Sequence, residues 1–333
     1  MPLFIPSPAH NAIYLGPIPI RGYAVSILVG IILAVIIGRA RWKKWGGNVN
    51  QLENVALVAT IVGIIGARIY WIVIEWPRYF GPNGTWYHMF YVWEGGLGIW
   101  GAITFGFLTG WLMCRHYHIN FLRFADCVAP AFLLAQGIGR LGNWWNQELY
   151  GLPTTLPWAL EIDPAHRVAG YEQYATFHPT FLYEMIWNFA GVGVLLWAEK
   201  KFKLGHGKLF ALYIAIYACG RFLIEFLRID PVDVIGGLRV NSWVTLVGLL
   251  FGLGLFLWLL KYRPGPNEII VASETPDESP SHDAEQSSAD ADQNSAETEQ
   301  DHSGDEDPGA RDEPGKVGAN NRNEADSDEE PQP

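Results

Sequence analysis

Three arginines stand where arginine is costly. Arg68, Arg140 and Arg221 each fall inside a long apolar run. If such a run lies in a membrane, a mid-span arginine costs roughly 2.5–3.5 kcal/mol on insertion scales. It persists there when it reaches the interface, pairs, or binds something. A guanidinium in a partly desolvated pocket is suited to bidentate recognition of phosphate or carboxylate. Acidic partners are close in sequence: Arg221, Glu225 and Arg228 share one helical face at i, i+4 and i+7. Glu184, with Tyr183, opens another apolar run, and Tyr23 opens the first. Arg140 sits in the stretch Gly139-Arg140-Leu141-Gly142-Asn143-Trp144-Trp145-Asn146-Gln147-Glu148-Leu149-Tyr150-Gly151. There Arg140 and Asn143 share a face, Asn146 and Glu148 follow, and the glycines permit close approach or a break in the helix. The chemistry suggested is capture of an anion at headgroup depth, a membrane phospholipid being the obvious one. The plainer alternative, snorkelling or structural ion pairs, explains each arginine alone better than it explains three together.

No enzyme nucleophile or metal cluster is evident. The sequence has no GxSxG elbow, no HExxH, and no His/Cys/Asp grouping at ligand spacing. Its three cysteines, Cys114, Cys127 and Cys219, lie in apolar runs and read as small buried hydrophobes. His178, before Pro179, is the one histidine beside the arginine group, where a structural role at a helix start is the simpler reading. Gly95-Gly96-Leu97-Gly98 resembles a nucleotide loop only superficially, since no Walker lysine follows. No metal, cofactor or nucleic-acid partner is expected. Any nucleophile would arrive with a substrate.

The elements that must position these residues are membrane helices. Apolar runs near spanning length recur at 20–38, 55–74, 97–114, 124–145, 180–198, 209–227 and 243–260. An all-α polytopic protein of about seven transmembrane helices follows. Twelve basic residues, among them Arg39, Arg41, Lys43 and Lys44, fall in one set of connections, against five in the other: Arg21, Arg78, Arg167, Arg228 and Arg239. The positive-inside rule then places the N-terminus outside and the C-terminus in the cytoplasm. In that orientation Arg68, Arg140, Arg221, Glu184 and Tyr23 converge toward the outer leaflet. Trp42, Trp45, Trp76, Trp93, Trp144 and Trp145 fall near span ends, as an interfacial belt would. Residues 1–20 hold no Lys or Arg, so no cleavable leader is expected.

Residues 264–333 differ in kind. They carry 21 acidic and three basic residues and no aromatic, a net of −18; with −11 for the whole chain, residues 1–263 carry +7. A segment of this composition buries too little apolar surface to offset its ordering entropy. A transmembrane catalytic domain over 1–263 and an acidic disordered cytoplasmic tail over 264–333 are expected.

The motifs together resemble those of the bacterial prolipoprotein diacylglyceryl transferase family. The resemblance rests on Gly139-Arg140-Leu141-Gly142-Asn143 with Asn146-Gln147-Glu148 and Gly151, on Arg21-Gly22-Tyr23, and on Gly66-Ala67-Arg68. Trp93-Glu94-Gly95-Gly96-Leu97, His178-Pro179-Thr180 with Leu182-Tyr183-Glu184, and Gly220-Arg221-Phe222 with Glu225-Phe226 and Arg228 complete it. It implies a bacterial plasma-membrane enzyme with its site toward the outer face. Such an enzyme moves the diacylglyceryl group of phosphatidylglycerol onto the lipobox cysteine thiol in the signal peptide of a prolipoprotein, forming a thioether and releasing glycerol phosphate. The resemblance assigns catalysis to Arg140 and Arg221. Binding of lipid and placement of the arginines would fall to Tyr23, Arg68, Asn143, Asn146, Glu148, Gly151, His178, Tyr183, Glu184, Glu225 and Arg228. Many members carry a histidine, the proposed thiol base, where this chain has Trp100, and tryptophan cannot take that proton.

Two rival functions use the same residues differently. A carrier or flippase would need polar groups through the inner half and often a repeat; the sequence offers there mainly Glu53 and Asp126. A scaffold acting through the tail leaves the buried arginines without a purpose.

Overall fold

The computed structural model describes residues 4–15, 18–82, 84–91, 95–263 and 265–266. Trp93, Glu94 and the acidic segment from residue 267 onward lie outside them. The chain opens with strand β1 (Phe4–Ile5) and a hairpin of β2 (Ala12–Leu15) and β3 (Ile18–Arg21). Helices α1 (Gly22–Lys44), α2 (Val49–Ile74), the short α3 (Trp76–Phe80) and α4 (Ile99–His116) follow. Next come α5 (Phe121–Gly139) and α6 (Leu141–Asn146), then strands β4 (Ala159–Glu161) and β5 (Thr176–Phe177). Helices α7 (Thr180–Phe202) and α8 (Lys208–Glu225), a hairpin of β6 (Val234–Ile235) and β7 (Leu238–Arg239), and α9 (Val240–Tyr262) complete the fold.

Five helical stretches are long and apolar enough to cross a membrane: α1, α2, the run through α5 and α6, α7 and α9. Helices α4 and α8 occupy the third and sixth expected spans, at 18 residues each, and are shorter than the other five stretches. Helix α4 ends in Arg115 and His116, and α8 contains Lys208, Arg221 and Glu225. The outer faces of α1, α2 and α9 present Leu28, Ile32, Ile61, Ile64, Val247 and Leu250, each roughly half exposed or more. Apolar faces of that extent belong against lipid. The protein is a polytopic helical membrane protein.

Helix pairs close on small residues. A Cβ on Gly101 of α4 would stand 2.2 Å from the Gly66 carbonyl of α2, and one on Gly252 of α9 would stand 2.7 Å from the Ala215 nitrogen of α8. Packing of this kind replaces the hydrophobic drive that lipid removes. One expected belt residue is misplaced by the sequence reading: Trp42 is fully buried with Leu52, Val55, Cys114, Phe124 and Cys127. The turn after α1 brings Gly47 N–H to the Trp42 carbonyl at 2.9 Å and folds the indole inward.

At one end of the bundle, charged groups tie four helices together. Arg41 on α1 meets both Glu199 oxygens of α7 at 2.9 Å and donates from Nε to the Cys127 carbonyl of α5. Buried Asp126 accepts from the Gly207 and Phe210 amides at 2.8 and 2.9 Å, capping α8 from a neighbouring helix. Lys208 donates to the carbonyls of Arg263 and Gly265, both at 2.9 Å.

The opposite end carries a small sheet that the apolar pattern did not foretell. Strand β4 runs parallel to β1 and antiparallel to β5. Beneath it Tyr150, Leu160, Ile162, Phe177 and Phe181 form a core. Gln147 fastens the sheet to the helices: its amide donates to Asp163 Oδ2 at 2.6 Å and accepts from the Asp163 amide at 2.9 Å. Gln147 and Leu149 both have left-handed backbones, with φ of 52° and 59°. Such a turn costs free energy in non-glycine residues.

Candidate functional site

The site lies at the sheet-bearing end of α5, α7 and α8. Arg140 occupies the joint where α5 gives way to α6. Its amide reaches back only three residues to Gly137 at 3.2 Å, and Asn143 N–H does the same to Arg140 at 3.1 Å. The tightened turn aims the guanidinium toward α7. There Glu184, one turn into that helix, lies with one oxygen 2.6 Å from Arg140 Nε and the other 2.8 Å from Arg221 Nη1 of α8. One carboxylate therefore holds two guanidinium groups from different helices.

The network continues along α8. Arg221 Nη2 lies 3.1 Å from Glu225, one turn on, as the i, i+4 spacing requires. Glu225 is fully buried and also accepts from Arg239 Nε at 2.8 Å and Asn241 at 3.0 Å. Arg239 and Arg228 both pair with Asp230, at 3.0 and 2.7 Å. Four arginines thus share three carboxylates, leaving one positive charge uncompensated within this network. The Arg140 and Arg221 side chains keep 20% and 13% exposure while Arg228 keeps 5%, so the first two remain reachable by a ligand. Each also has donors beyond those its carboxylates take.

A second branch orients Arg140. Its Nη1 donates to Asn143 Oδ1 at 3.3 Å, Asn143 donates to Glu148 Oε1 at 3.1 Å, and Asn146 donates to the same oxygen at 3.2 Å. Among the described residues no basic side chain pairs with Glu148. Tyr23 packs its ring on Gly142, where a Cβ would meet it at 2.4 Å, and lies close to Arg140.

Several expected ligands do other work. Arg68 is buried with all five donors on main-chain carbonyls: Nε on Met89, Nη1 on Gly95 and Gly96, and Nη2 on His88 and Tyr91. It organises the loop before α4, and no N–H is left for a lipid phosphate. His178 and Tyr183 form a separate triad with Trp158, with contacts of 3.0 and 3.1 Å on the Tyr183 hydroxyl. Burial pushes the His178 pKa below its ordinary value. Gly151 is a backbone knot: its amide donates to the His178 carbonyl at 2.9 Å, it bridges Arg228, and a Cβ would strike the Leu227 carbonyl. Arg228 braces Asp230 and Glu225 from within.

Four residues around the network were not singled out from sequence: Tyr217, which lies close to Arg140, and Asp230, Arg239 and Asn241. Tyr217 stands four residues before Arg221 on the same face, a signal that was available. Arg239 was counted only as a loop charge. Its approach to Glu225 depends on the β6–β7 hairpin, which has no apolar periodicity to reveal it.

The family model described as prolipoprotein diacylglyceryl transferase matches residues 10–258. The phosphatidylglycerol–prolipoprotein diacylglyceryl transferase of Cutibacterium acnes is 52% identical over 266 residues, covering 80% of this chain and 90% of its own length. An enzyme of that name from Streptomyces coelicolor is 48% identical, covering 79% and 83%, and one from Corynebacterium glutamicum is 47% identical, covering 80% and 87%. With a family match over most of its length and relatives this close, the chain belongs to the prolipoprotein diacylglyceryl transferase family.

Proposed function

We propose that this protein transfers the diacylglyceryl group of phosphatidylglycerol to the lipobox cysteine thiol of prolipoproteins, the first step of lipoprotein maturation. The observation that carries the reading is the pair Arg140 and Arg221, held side by side by one carboxylate, Glu184, and still partly exposed. A phosphodiester monoanion takes the guanidinium donors that Glu184, Glu225 and Asn143 leave free. As the thiol sulfur bonds to the glycerol carbon, the carbon–oxygen bond to phosphorus breaks and its electron pair passes to the phosphate oxygen. Charge grows on the departing glycerol phosphate, where two fixed guanidinium groups stabilise it most.

The thiol proton needs an acceptor, and Trp100 offers none. Glu148 is the carboxylate of the site without an arginine against it, and it is presented between the left-handed Gln147 and Leu149. Glu148 takes the proton and passes it to released glycerol phosphate or water. Asn143 links that carboxylate to Arg140, so base and anion site are held in one chain of hydrogen bonds.

In this reading residues 1–263 form a seven-span catalytic domain in the bacterial plasma membrane. Its N-terminus and site face outward, and residues 264–333 extend into the cytoplasm. The distribution of Lys and Arg supports that orientation, and an exported substrate requires it. The test is direct: purified protein, phosphatidylglycerol and a lipobox peptide, followed by mass spectrometry. A gain of one diacylglyceryl group on the peptide is expected; an unchanged peptide refutes transfer and returns the arginines to a carrier.

A further inference from the structure

One helical turn deeper than the arginines, α5, α7 and α8 each place a polar residue in otherwise apolar surroundings. Gln136 precedes Arg140 by four residues, Asn188 follows Glu184 by four, and Tyr217 precedes Arg221 by four. Two buried polar atoms in this layer have no partner among the described residues: Asn188 Nδ2 and Gln136 Oε1. Asn188 is only 2% exposed and presses against α5 at Gly137, where a Cβ would approach its own at 3.3 Å. The other end of the Gln136 amide donates to the Tyr213 hydroxyl at 2.9 Å. Orphaned buried amides are rare and unfavourable, because their bonds to water have been given up without replacement. Packing alone does not call for them, since Leu fills the same space in a membrane helix.

We propose that this layer is a subsite for the acyl-ester carbonyls of the lipid whose phosphate Arg140 and Arg221 hold, a reading that rests on the function proposed above. In a glycerophospholipid the ester carbonyls lie about one helical turn beyond the phosphate, toward the bilayer centre. That is the offset between the two layers. Asn188 Nδ2 donates to one carbonyl. Gln136 serves the second by turning its amide over: Oε1 then accepts the Tyr213 hydroxyl and Nε2 is released as a donor. The site thereby distinguishes diacyl lipids from ethers, whose oxygens are poor acceptors.

The experiment compares diester phosphatidylglycerol with its dialkyl-ether analogue of equal chain length, using the full chain in detergent and a lipobox peptide. Wild-type kcat/KM is expected to be about tenfold higher or more with the diester, the worth of one good hydrogen bond. Asn188→Leu is expected to lose about tenfold on the diester and to be unchanged on the diether. Equal use of both lipids by the wild type overturns the proposal without any variant, which covers an Asn188→Leu protein that does not insert. An equal loss on both lipids also overturns it, and marks the layer as a buried-water or packing site. A wild type inactive with the diester refutes the parent function, and this subsite with it.

Discussion

Glu225 Oε1 lies 2.8 Å from Nε of Arg239, joining the end of α8 to the residue before α9. Glu225 is fully buried, so this pair keeps a second cation on a carboxylate that also faces Arg221. Arg239→Ala should therefore act first on stability. Loss of one partner from a buried carboxylate costs about 1–3 kcal/mol, read as a lower unfolding temperature in detergent. Adding Glu225→Gln should recover part of the loss. An Arg239→Ala protein with wild-type stability refutes a structural pair.

Arg221→Lys should fail nearly as badly as Arg221→Ala. Arg221 reaches Glu184 and Glu225 through separate nitrogens and still has donors to offer, which one ammonium cannot match. A fall of about 100-fold or more in transfer is expected, roughly 2.7 kcal/mol, with membrane insertion checked for each variant. Near-normal transfer by the lysine form would leave Arg140 as the main anion ligand.

Arg68→Lys should weaken the fold and leave lipid recognition alone. Lysine has three donors for the five carbonyls that Arg68 serves. The unfolding temperature is expected to drop while KM for phosphatidylglycerol stays within about twofold, well under the tenfold that a lost bond to an anion brings. A raised KM with unchanged stability would return Arg68 to the lipid site.

Trp100→Phe should keep most activity, because the indole is half exposed at the start of α4 and has no basic atom to accept a proton. Glu148→Gln should lose about 100-fold in kcat, a typical contribution of a general base, with little change in KM for lipid. Gln can still accept from Asn143 and Asn146, so the comparison isolates the charge. The opposite ranking of these two variants would remove Glu148 as proton acceptor.

The acidic tail should be dispensable for transfer, and the point of truncation matters. Lys208 holds the carbonyls of Arg263 and Gly265. A chain ending after Pro266 should match the full chain in stability and in transfer to peptide. One ending after Tyr262 should unfold at lower temperature. Loss of transfer by the longer form would give the tail a part in catalysis.

The sequence made the arginines legible because charge in an apolar run is rare, and it made Arg221–Glu225 legible because helical spacing is local. Arg140 and Asn143 were paired by the same rule. What it hid was contact across helices. Glu184 could be seen near the site, but its bridging of Arg140 and Arg221 depends on three helix ends meeting. Arg68 looked like a ligand because its carbonyl partners are main chain and leave no mark in residue type. Trp42 looked interfacial because its position near a helix end was visible and the fold-back at Gly47 was not. Asn188 drew no attention for the opposite reason: one amide in a membrane helix is common, and its lack of a partner shows only in three dimensions.

The ties at the far end of the bundle have a mechanical meaning. Asp126 grips the start of α8, and Arg41 clamps α1 to α5 and α7. These bonds are many, charged and remote from Arg140. Helices pinned there, and tied again by Gly151 to His178 and Arg228 at the other end, keep a fixed depth relative to one another. An anion reaching Arg140 and Arg221 thus meets guanidinium groups whose helices are already braced at both ends, and it has only side-chain donors to reorient.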